Sequence, residues 1–227
     1  MANLVSVRVD AGIIVQFSCR NKSQRNHAAR VDTLETERLT IRPFVAGDLH
    51  AAHQVLDLEL EWPGPAFTFD QRRERLQLYI YLAGWQDTGR LYGFRAITLK
   101  ASQQLIGLSG FHPDVWSPRW KAVFWPALFP ERDPAAFGAH ASLELGVGYA
   151  LSQAARGQGY ASEAVNALLE HAFRALRVER VFATTDQANT DSVKLMERVG
   201  MRTARNPDAL AAYPGVVGVI ENHQVGG

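Results

Sequence analysis

A turn at residues 156–161, Arg-Gly-Gln-Gly-Tyr-Ala, has the residue types that could bind a phosphate group. It follows a strand-like run over residues 143–152 and leads into an amphipathic run. The first N–H groups of a helix have no partners within the helix, and together with the helix dipole they attract anions. Gly157 and Gly159 carry no Cβ, so a ligand can approach their backbone closely. The turn therefore indicates a phosphate-bearing ligand, although an ordinary strand-to-helix turn can have the same composition.

The elements after the turn continue in a helix-strand-helix order. Residues 159–176 place apolar residues at three- and four-residue spacing and predict one helix. Residues 180–186 are rich in β-branched and aromatic residues and predict a strand. Residues 193–199 predict a short helix that Asp191 or Ser192 can cap. The turn is thus expected between a strand and a helix, where its N–H groups are available.

These motifs resemble the GNAT superfamily of acyl-CoA-dependent N-acyltransferases. The positions that match the family's Arg/Gln-x-x-Gly-x-Gly/Ala fingerprint, and the Asn-x-x-Ser pattern of its ribosomal-protein N-terminal (Rim-type) branch, are Arg156, Gly159, Ala161, Asn189 and Ser192. Residues 34–44 are similar to the opening strand of that branch. The resemblance covers about residues 34–205.

The resemblance implies an α+β fold with a mixed central sheet of about six to seven strands flanked by helices. The implied order is one strand, two helices, three strands, a helix, a strand, a helix and one or two final strands. The acyltransferase domain is expected over residues 33–227, after an N-terminal extension over residues 1–32 in which residues 5–17 could form a strand. A Trp- and Pro-rich insertion at about 113–141 could line an acceptor site, cover the donor or form a dimer contact, or it could pack its own cluster.

The first half of the domain has its own predicted elements. A helix that Asp48 can cap is expected to run to about Glu61, before the helix-breaking Pro and Gly residues at 62–65. A second helix starts at Asp70, and strands are expected at residues 92–99 and 105–111. This sequence of elements agrees with the order that the resemblance implies.

Composition and charge exclude several classes of protein. Of the 227 residues, 47% are hydrophobic and 21% are charged, as in soluble globular proteins. A net charge of +1 without a basic tract argues against a nucleic-acid partner, and no apolar run approaches the ~20 residues of a membrane span. Cys19 is the only cysteine, so an intrachain disulfide is impossible, which fits a reducing cytoplasm. A cytoplasmic protein without a membrane partner is therefore expected.

The resemblance implies that acetyl-CoA is the acyl donor. Backbone groups of the strand before the turn would pair with the pantetheine arm and polarise the acyl carbonyl, while the N–H groups of the turn would hold the pyrophosphate. The residues that would contact the donor are Tyr149, Ala150, Leu151, Arg156, Gly157, Gln158, Gly159, Tyr160, Ala161 and Asn189. No metal is expected, because His50 and His53 have no further ligand set nearby.

Glu144 is the first candidate for the general base. Strand alternation places it on the same face as Gly146 and Gly148. By the resemblance, many relatives carry a Glu at the position of Gly146, and a shift of two residues moves the carboxylate ~6–7 Å along the strand. Glu144 would then act through water, or it could be a salt-bridged strand carboxylate. His112 and Asp114, at the end of the preceding strand, rank behind it as candidates.

Ser192 is the candidate for protonating the leaving thiolate. By the resemblance it matches the serine that has this role in the Rim-type branch. Many GNAT enzymes use a tyrosine of the last helix, but this chain has Met196 there, which cannot donate a proton. Ser192 could also cap the helix, and the two roles are compatible.

The sequence therefore predicts an N-acetyltransferase that acts by direct attack of a primary amine. Deprotonating a lysine amine at pH 7 costs roughly 4–5 kcal/mol, against about 1 kcal/mol for an α-amine, which mildly favours a peptide or protein N-terminus or another weakly basic amine. A non-catalytic CoA-binding sensor or interaction module on the same fold is the alternative. An antibiotic-modifying acetyltransferase is a third reading, which the balanced charge disfavours. A homodimer could form through the insertion or through residues 214–220.

Overall fold

The chain divides into two compact units, Met1–Arg30 and Val31–Gly227. A computed structural model describes the backbone of residues 3–9 and 13–19, and residues 33–60, 65–85, 93–133, 140–208 and 214–222. The first unit contains an antiparallel hairpin of β1 (Asn3–Val9) and β2 (Ile13–Cys19). The prediction of one strand over residues 5–17 was therefore wrong, because the Asp-Ala-Gly stretch between the two strands has turn composition.

An eight-stranded mixed sheet forms the centre of the second unit. In spatial order its strands are β3 (Leu34–Glu35), β4 (Leu39–Arg42), β5 (Gly93–Leu99), β6 (Leu105–Trp116), β7 (Ser142–Leu151), β8 (Arg180–Thr185), β10 (Val216–Glu221) and β9 (Arg202–Arg205). All neighbours are antiparallel except β7 and β8, which are parallel. The mixed α+β fold is confirmed. The strand count exceeds six to seven partly because a turn at Thr36 divides the opening segment into β3 and β4.

Helices cover both faces of this sheet. They are α1 (Leu49–His53), α2 (Phe69–Trp85), α3 (Pro118–Leu128), α4 (Tyr160–Arg174) and α5 (Thr190–Arg198). α4 and α5 pack on one face, around Val147 and Val181. α1 and α2 pack on the opposite face around Leu108, and α3 packs on that same face around Phe182. The α1–α2 pair and α3 thus lie on the same face of the sheet, on either side of the middle of β6 and β7.

The predicted helix from Asp48 to Glu61 is less regular than expected over its described part, which ends at residue 60. A 3₁₀ turn (Ala46–Asp48) leads into the short α1, which continues as a π-helical turn (Gln54–Leu58). The π-helical turn contains Asp57, which is only 6% exposed and accepts hydrogen bonds from Arg72 of α2. Burial opposes its ionisation, but the bonds from Arg72 and His53 outweigh burial and lower the pKa of Asp57. This ion pair joins the π-helical turn to α2.

In the segment predicted as an insertion at 113–141, the structure describes residues 113–133 and 140–141, and they contain the end of β6 and all of α3. β6 ends at Trp116 and not at residue 111, because its pairing with β7 continues to Trp116 opposite Ser142. Ser117 then caps α3, which has a proline at its first turn. The described aromatic residues of this segment do not form a separate cluster, because Trp116 and Trp125 pack against Phe182 of the central sheet. Phe137 lies outside the described residues.

The predicted subunit contact at residues 214–220 falls largely on β10. That strand lies inside the sheet, between β8 and β9, and its residues 216–219 are buried. Formation of a homodimer stays a prediction.

His171 of α4 supplies a test of stability against pH. It is 8% exposed, and burial together with the charge of Arg95 lowers its pKa. The unfolded chain therefore binds a proton at this site more readily than the folded chain does, so stability should fall as the pH drops below about 6.5. In urea titrations between pH 7.5 and pH 5.5, His171→Gln should weaken this pH dependence. His140→Gln, at an exposed position, should retain it, and equal slopes for the two variants would contradict the assignment.

Candidate active site

β7 and β8 separate soon after they begin to pair. Gly146 opposite Phe182 is the one ladder pair between them, whereas β7 stays paired with β6 as far as Leu151 opposite Gly107. The edge of β7 that faces β8 therefore has no strand partner after Gly146 in the part of the chain that the structure describes. Tyr149, Ala150 and Leu151 lie along this edge, so their backbone groups on that side can pair with an extended ligand.

The turn at residues 156–161 lies at the open end of this cleft. Gly157 and Gly159 have φ values of +73° and +81°, a conformation that side chains with a Cβ rarely adopt. Gly159 is the N-cap residue of α4 and provides no side-chain cap, so no side chain of that residue competes for the first N–H groups of the helix. Arg156 and Gln158 are exposed. The turn can therefore accept an anionic ligand from solvent.

Arg38, which lies between β3 and β4, holds the turn at residues 156–161 in place. Its guanidinium donates to the backbone oxygen of Gln158 at 3.0 Å, forms an ion pair with Glu163, and lies 4.4 Å from the ring centroid of Tyr160. A trans peptide directs its C=O and N–H in opposite directions, so this contact turns the N–H of Gly159 away from Arg38. No local sequence pattern predicts this clamp, and the only signal for it is the position of Arg38 in the opening segment.

Glu163 is the second half of the clamp. Its carboxylate accepts hydrogen bonds from Thr36, from the backbone N–H of Arg38 at 2.9 Å and from the Arg38 side chain. Burial opposes ionisation of Glu163, but these hydrogen bonds outweigh burial and lower its pKa. The first turn of α4 is thereby held against the start of β4.

Three other residues that were predicted to contact the donor make contacts within the protein. The Arg156 side chain donates to the Leu151 oxygen at 3.4 Å, and the Gln158 side chain donates to the Ala154 oxygen at 2.8 Å. Ala161 packs partly buried against the core beneath α4. These contacts tie the turn to the end of β7, and the roles of the three residues in donor binding stay predictions.

Ser192 and Tyr149 face each other across the cleft. Their hydroxyl oxygens are 2.8 Å apart, which is hydrogen-bond distance. The α5 cap predicted at Asp191 or Ser192 is instead Asn189, whose side chain accepts the Ser192 N–H at 3.1 Å, and the helix begins at Thr190. Tyr149 was predicted to act only through its backbone, so this hydroxyl pair was not expected.

Glu144 is part of a buried ion pair. It is 7% exposed, and its two carboxylate oxygens accept hydrogen bonds from Arg180 at 2.9 and 3.1 Å. Ser142 donates to one of the same oxygens at 2.8 Å. Burial opposes the charge of Arg180, but the bond to Glu144 outweighs burial and raises the pKa of the guanidinium. The arrangement matches the salt-bridged interpretation of Glu144, and its role as the base stays a prediction.

His112 and Asp114 lie on β6 beside the point where the cleft opens. The Nδ1 atom of His112 is 3.2 Å from a carboxylate oxygen of Asp114, and the two side chains are 31% and 22% exposed. His112 is directly opposite Gly146 in the β6–β7 register. The imidazole therefore lies close to the apex of the cleft.

Sequence comparison decides the family of the chain. The profile of the acetyltransferase (GNAT) domain matches residues 38–202, which include the cleft, the turn and the Tyr149–Ser192 pair. The chain belongs to the GNAT acetyltransferase family. An acyltransferase activity follows from that membership.

Two curated proteins are similar to this GNAT protein. The uncharacterized N-acetyltransferase p20 of Bacillus licheniformis is 25% identical over 182 residues, which span 76% of this chain and 83% of p20. The uncharacterized N-acetyltransferase YnaD of Bacillus subtilis is 36% identical over 56 residues, a match that covers 25% of this chain and 33% of YnaD.

Solved structures share the fold of this GNAT protein. A GNAT-family acetyltransferase from Bacillus anthracis superposes with a TM-score of 0.57 at 21% identity, over 84% of this chain and 98% of that one. RimL, a ribosomal alpha-N-protein acetyltransferase solved in complex with coenzyme A, superposes with a TM-score of 0.55 at 17% identity. That superposition covers 82% of this chain and 95% of RimL.

Metal-binding clusters and membrane-spanning helices are both absent from the ranges that the structure describes. Within those ranges, the GNAT protein has no cluster of three or more His, Cys, Asp or Glu side chains that could hold a metal ion. No helix in the described part of the chain is both long enough and apolar enough to cross a membrane.

Proposed function

We propose that this GNAT protein transfers an acetyl group from acetyl-CoA to a primary amine, either a peptide or protein N-terminus or a small amine. The observation that carries the proposal is the cleft between β7 and β8, which runs from Gly146 to the turn at residues 156–161. From Gly146 to Leu151 the strand advances about 16 Å, a length that suits an extended pantetheine arm. The unpaired edge of β7 and the uncapped start of α4 thus fit the two parts of CoA.

Each part of the site has a distinct task in this proposal. Acetyl-CoA supplies, when bound, an acetyl group activated as a thioester. The N–H groups of residues 156–161 bind the pyrophosphate, and Asn189 contacts the pantetheine or the adenosine. The β7 edge at Tyr149, Ala150 and Leu151 pairs with the pantetheine, and a backbone N–H of β7 polarises the acyl carbonyl.

The transfer requires two proton movements. Attack by the amine nitrogen forms the C–N bond and breaks the C–S bond, so one proton must leave the nitrogen and one must reach the sulfur. We assign the second proton to Ser192, whose hydroxyl lies 2.8 Å from that of Tyr149. Tyr149 holds the Ser192 hydroxyl in place and can return a proton to it.

The Ser192 assignment predicts a defect in turnover and not in binding. Ser192→Ala should lower kcat by roughly 10²-fold, because the sulfur would then leave without its proton donor. Tyr149→Phe should lower kcat less, because the serine hydroxyl remains. Steady-state kinetics with calorimetric binding of acetyl-CoA would measure both effects. Ser102→Ala, in an exposed turn, is the control, and a wild-type kcat for Ser192→Ala would refute the assignment.

The acceptor that we propose is an α-amine, as in the Rim-type branch. The lower pKa of an α-amine makes its neutral form more available at pH 7 than that of lysine. The structural similarity to RimL supports this choice. The Asn189–Ser192 pattern of the sequence supports it as well.

A thiol-release assay tests the proposed function against its alternatives. The acceptors would be peptides with free N-termini, a lysine peptide with a blocked N-terminus, small amines and an aminoglycoside. We expect release of CoA that depends on an acceptor and is fastest with α-amines. Binding of acetyl-CoA without any turnover would instead identify a sensor or interaction module, and turnover confined to the aminoglycoside would identify an antibiotic-modifying enzyme.

A further inference from the structure

His112 lies at the inner end of the cleft, where β7 stops pairing with β8 and still pairs with β6. It lies opposite Gly146, which is also the last residue of β7 that pairs with β8. A ligand that extends along the free edge of β7 from the turn at residues 156–161 reaches its inner end here. The group that reacts at the end of such a ligand is therefore brought next to β6, the strand that carries His112.

Gly146 leaves the space that the imidazole occupies, and Gly148 lies beside the far edge of the ring. A Cβ added at Gly146 would lie 2.5 Å from Cε1 and 2.9 Å from Nδ1 of His112, and 2.6 Å from the Oδ2 atom of Asp114. A Cβ added at Gly148 would lie 3.5 Å from Cδ2 of the same ring. Because Nε2 is bonded to Cε1 and Cδ2, it lies above β7 between Gly146 and Gly148. The ring nitrogen that faces away from Asp114 is thus positioned over the unpaired stretch of the strand.

Asp114 orients this ring. Its Oδ1 atom is 3.2 Å from Nδ1 of His112, which favours the tautomer with the proton on Nδ1 and the lone pair on Nε2. Among the described residues, Nε2 has no hydrogen-bond partner, and the ring lies against Asp114 and Phe94. A histidine in this state can accept a proton at Nε2, while the carboxylate stabilises the imidazolium that results.

The second oxygen of Asp114 is also distinctive. Oδ2 is buried and has no hydrogen-bond partner among the described residues. An unsatisfied buried carboxylate oxygen is costly, so it requires an explanation beyond packing. A positive charge that forms on the neighbouring imidazole during each reaction cycle would supply one.

We infer that His112 is the catalytic residue that accepts the proton of the attacking amine, and that Asp114 is its positioning residue. The inference rests on the proposed acetyl transfer. As the C–N bond forms and the C–S bond breaks, the amine proton passes to Nε2 of His112, and the imidazolium later returns that proton to solvent. The acceptor amine must then enter from the face of the sheet that carries His112, between α3 and the α1–α2 pair.

Glu144 lies on the same face of the sheet as His112, but its carboxylate is held in an ion pair. It is directly opposite Asp114 in the register, and both of its oxygens bind Arg180. Using it as a base would leave the Arg180 guanidinium without its partner at each cycle, whereas His112 gains a proton beside a carboxylate. Among the described residues, the charged and titratable groups near the imidazole are Asp114 on β6, Glu144 on β7, Arg180 on β8 and Tyr79 of α2 beyond Phe94.

The experiment compares the full-length wild type with His112→Ala, His112→Asn and Asp114→Asn. His140→Ala, an exposed histidine, is the matched control. The readouts are kcat/KM against pH with the fastest acceptor of the thiol-release panel, the calorimetric affinity for acetyl-CoA, and the melting temperature. We expect both His112 variants to lose roughly 10²–10³-fold in kcat/KM while retaining acetyl-CoA affinity, and imidazole added to the buffer to restore part of the His112→Ala rate.

Asp114→Asn and Gly146→Ala both keep the His112 imidazole but disturb its orientation, so they test whether the orientation of the ring matters for the rate. Asp114→Asn should lower the rate by roughly 10-fold or more and shift the acid limb of the pH profile, because the tautomer is no longer fixed. Gly146→Ala should also slow turnover, because its methyl group occupies the space of the ring. In both variants the affinity for acetyl-CoA should remain.

The outcomes distinguish this inference from the function on which it rests. A wild type that binds acetyl-CoA but transfers nothing overturns the proposed transfer, and this inference with it. If the wild type transfers acetyl groups and His112→Ala keeps its rate and its acid limb, only the inference is overturned. The same holds if Glu144→Gln alone removes the acid limb.

Discussion

Replacing Gly159 with valine should remove measurable acetyl-CoA binding while the protein remains folded. Gly159 has a φ of +81° and is the N-cap residue of α4, so a β-branched side chain would force the turn out of its conformation. The N–H groups that we propose for the pyrophosphate would then no longer converge. We expect the dissociation constant to rise by roughly 100-fold or more, equivalent to about 2.7 kcal/mol. Isothermal titration calorimetry measures this directly.

A second glycine controls for backbone strain in that experiment. Gly93 also has a positive φ, +91°, and open space around its Cβ position, but it begins β5 and lies outside the turn. Gly93→Val should lower the melting temperature and leave acetyl-CoA affinity at the wild-type value. Equal affinities for Gly159→Val and the wild type would remove the turn from the binding site.

Replacing Arg72 with methionine should produce the largest loss of stability. Arg72 and Asp57 are both buried, with side-chain exposures of 6% and 2%, so the substitution leaves a buried carboxylate whose remaining partner among the described residues is His53. Breaking a buried ion pair from one side costs about 3–5 kcal/mol. Urea unfolding at pH 7 should show this loss as a lower midpoint with an unchanged slope.

A control variant at Arg73 and the pH dependence of stability both test whether the loss comes from the buried Arg72–Asp57 pair. Arg73 pairs with Asp70 on the surface, at exposures of 49% and 79%, so Arg73→Met should change stability by about 0.2–1 kcal/mol at most. Folding lowers the pKa of Asp57. The ionised carboxylate therefore contributes to the stability of the folded protein above the unfolded pKa of about 3.9, and this contribution is lost as the pH falls below that value. The difference between wild type and Arg72→Met should shrink accordingly. A constant difference down to pH 3 would contradict this explanation.

Local patterns allowed much of the fold to be predicted. The apolar spacing of α4 and the β-branched run of β8 are short-range signals, and both elements lie where the sequence indicates. The end of β6 was missed because Pro113 usually ends a strand. Here β5 pairs with β6 only as far as Phe111 in the described residues, so the proline lies where the ladder on that side has ended.

The site could be predicted only where it is contiguous in the chain. The turn at residues 156–161 is a local motif, and its glycines have the positive φ values that such a motif requires. The Arg38–Glu163 clamp and the Tyr149–Ser192 pair join residues 125 and 43 positions apart, which no local pattern relates. Glu144 ranked ahead of His112 because alternation assigns a strand face but does not reveal that Arg180 binds the carboxylate.

One measurement tests the central claim most directly: mass spectrometry of the acceptor, with titration of free thiol in the same reaction. The wild-type protein would be incubated with acetyl-CoA and a pool of peptides that have free N-termini. We predict one acetyl group on an acceptor amine for each CoA released, with no transfer when the N-termini are blocked. Acetyl-CoA that binds but leaves every acceptor unmodified would contradict the claim that this protein is an N-acetyltransferase of α-amines.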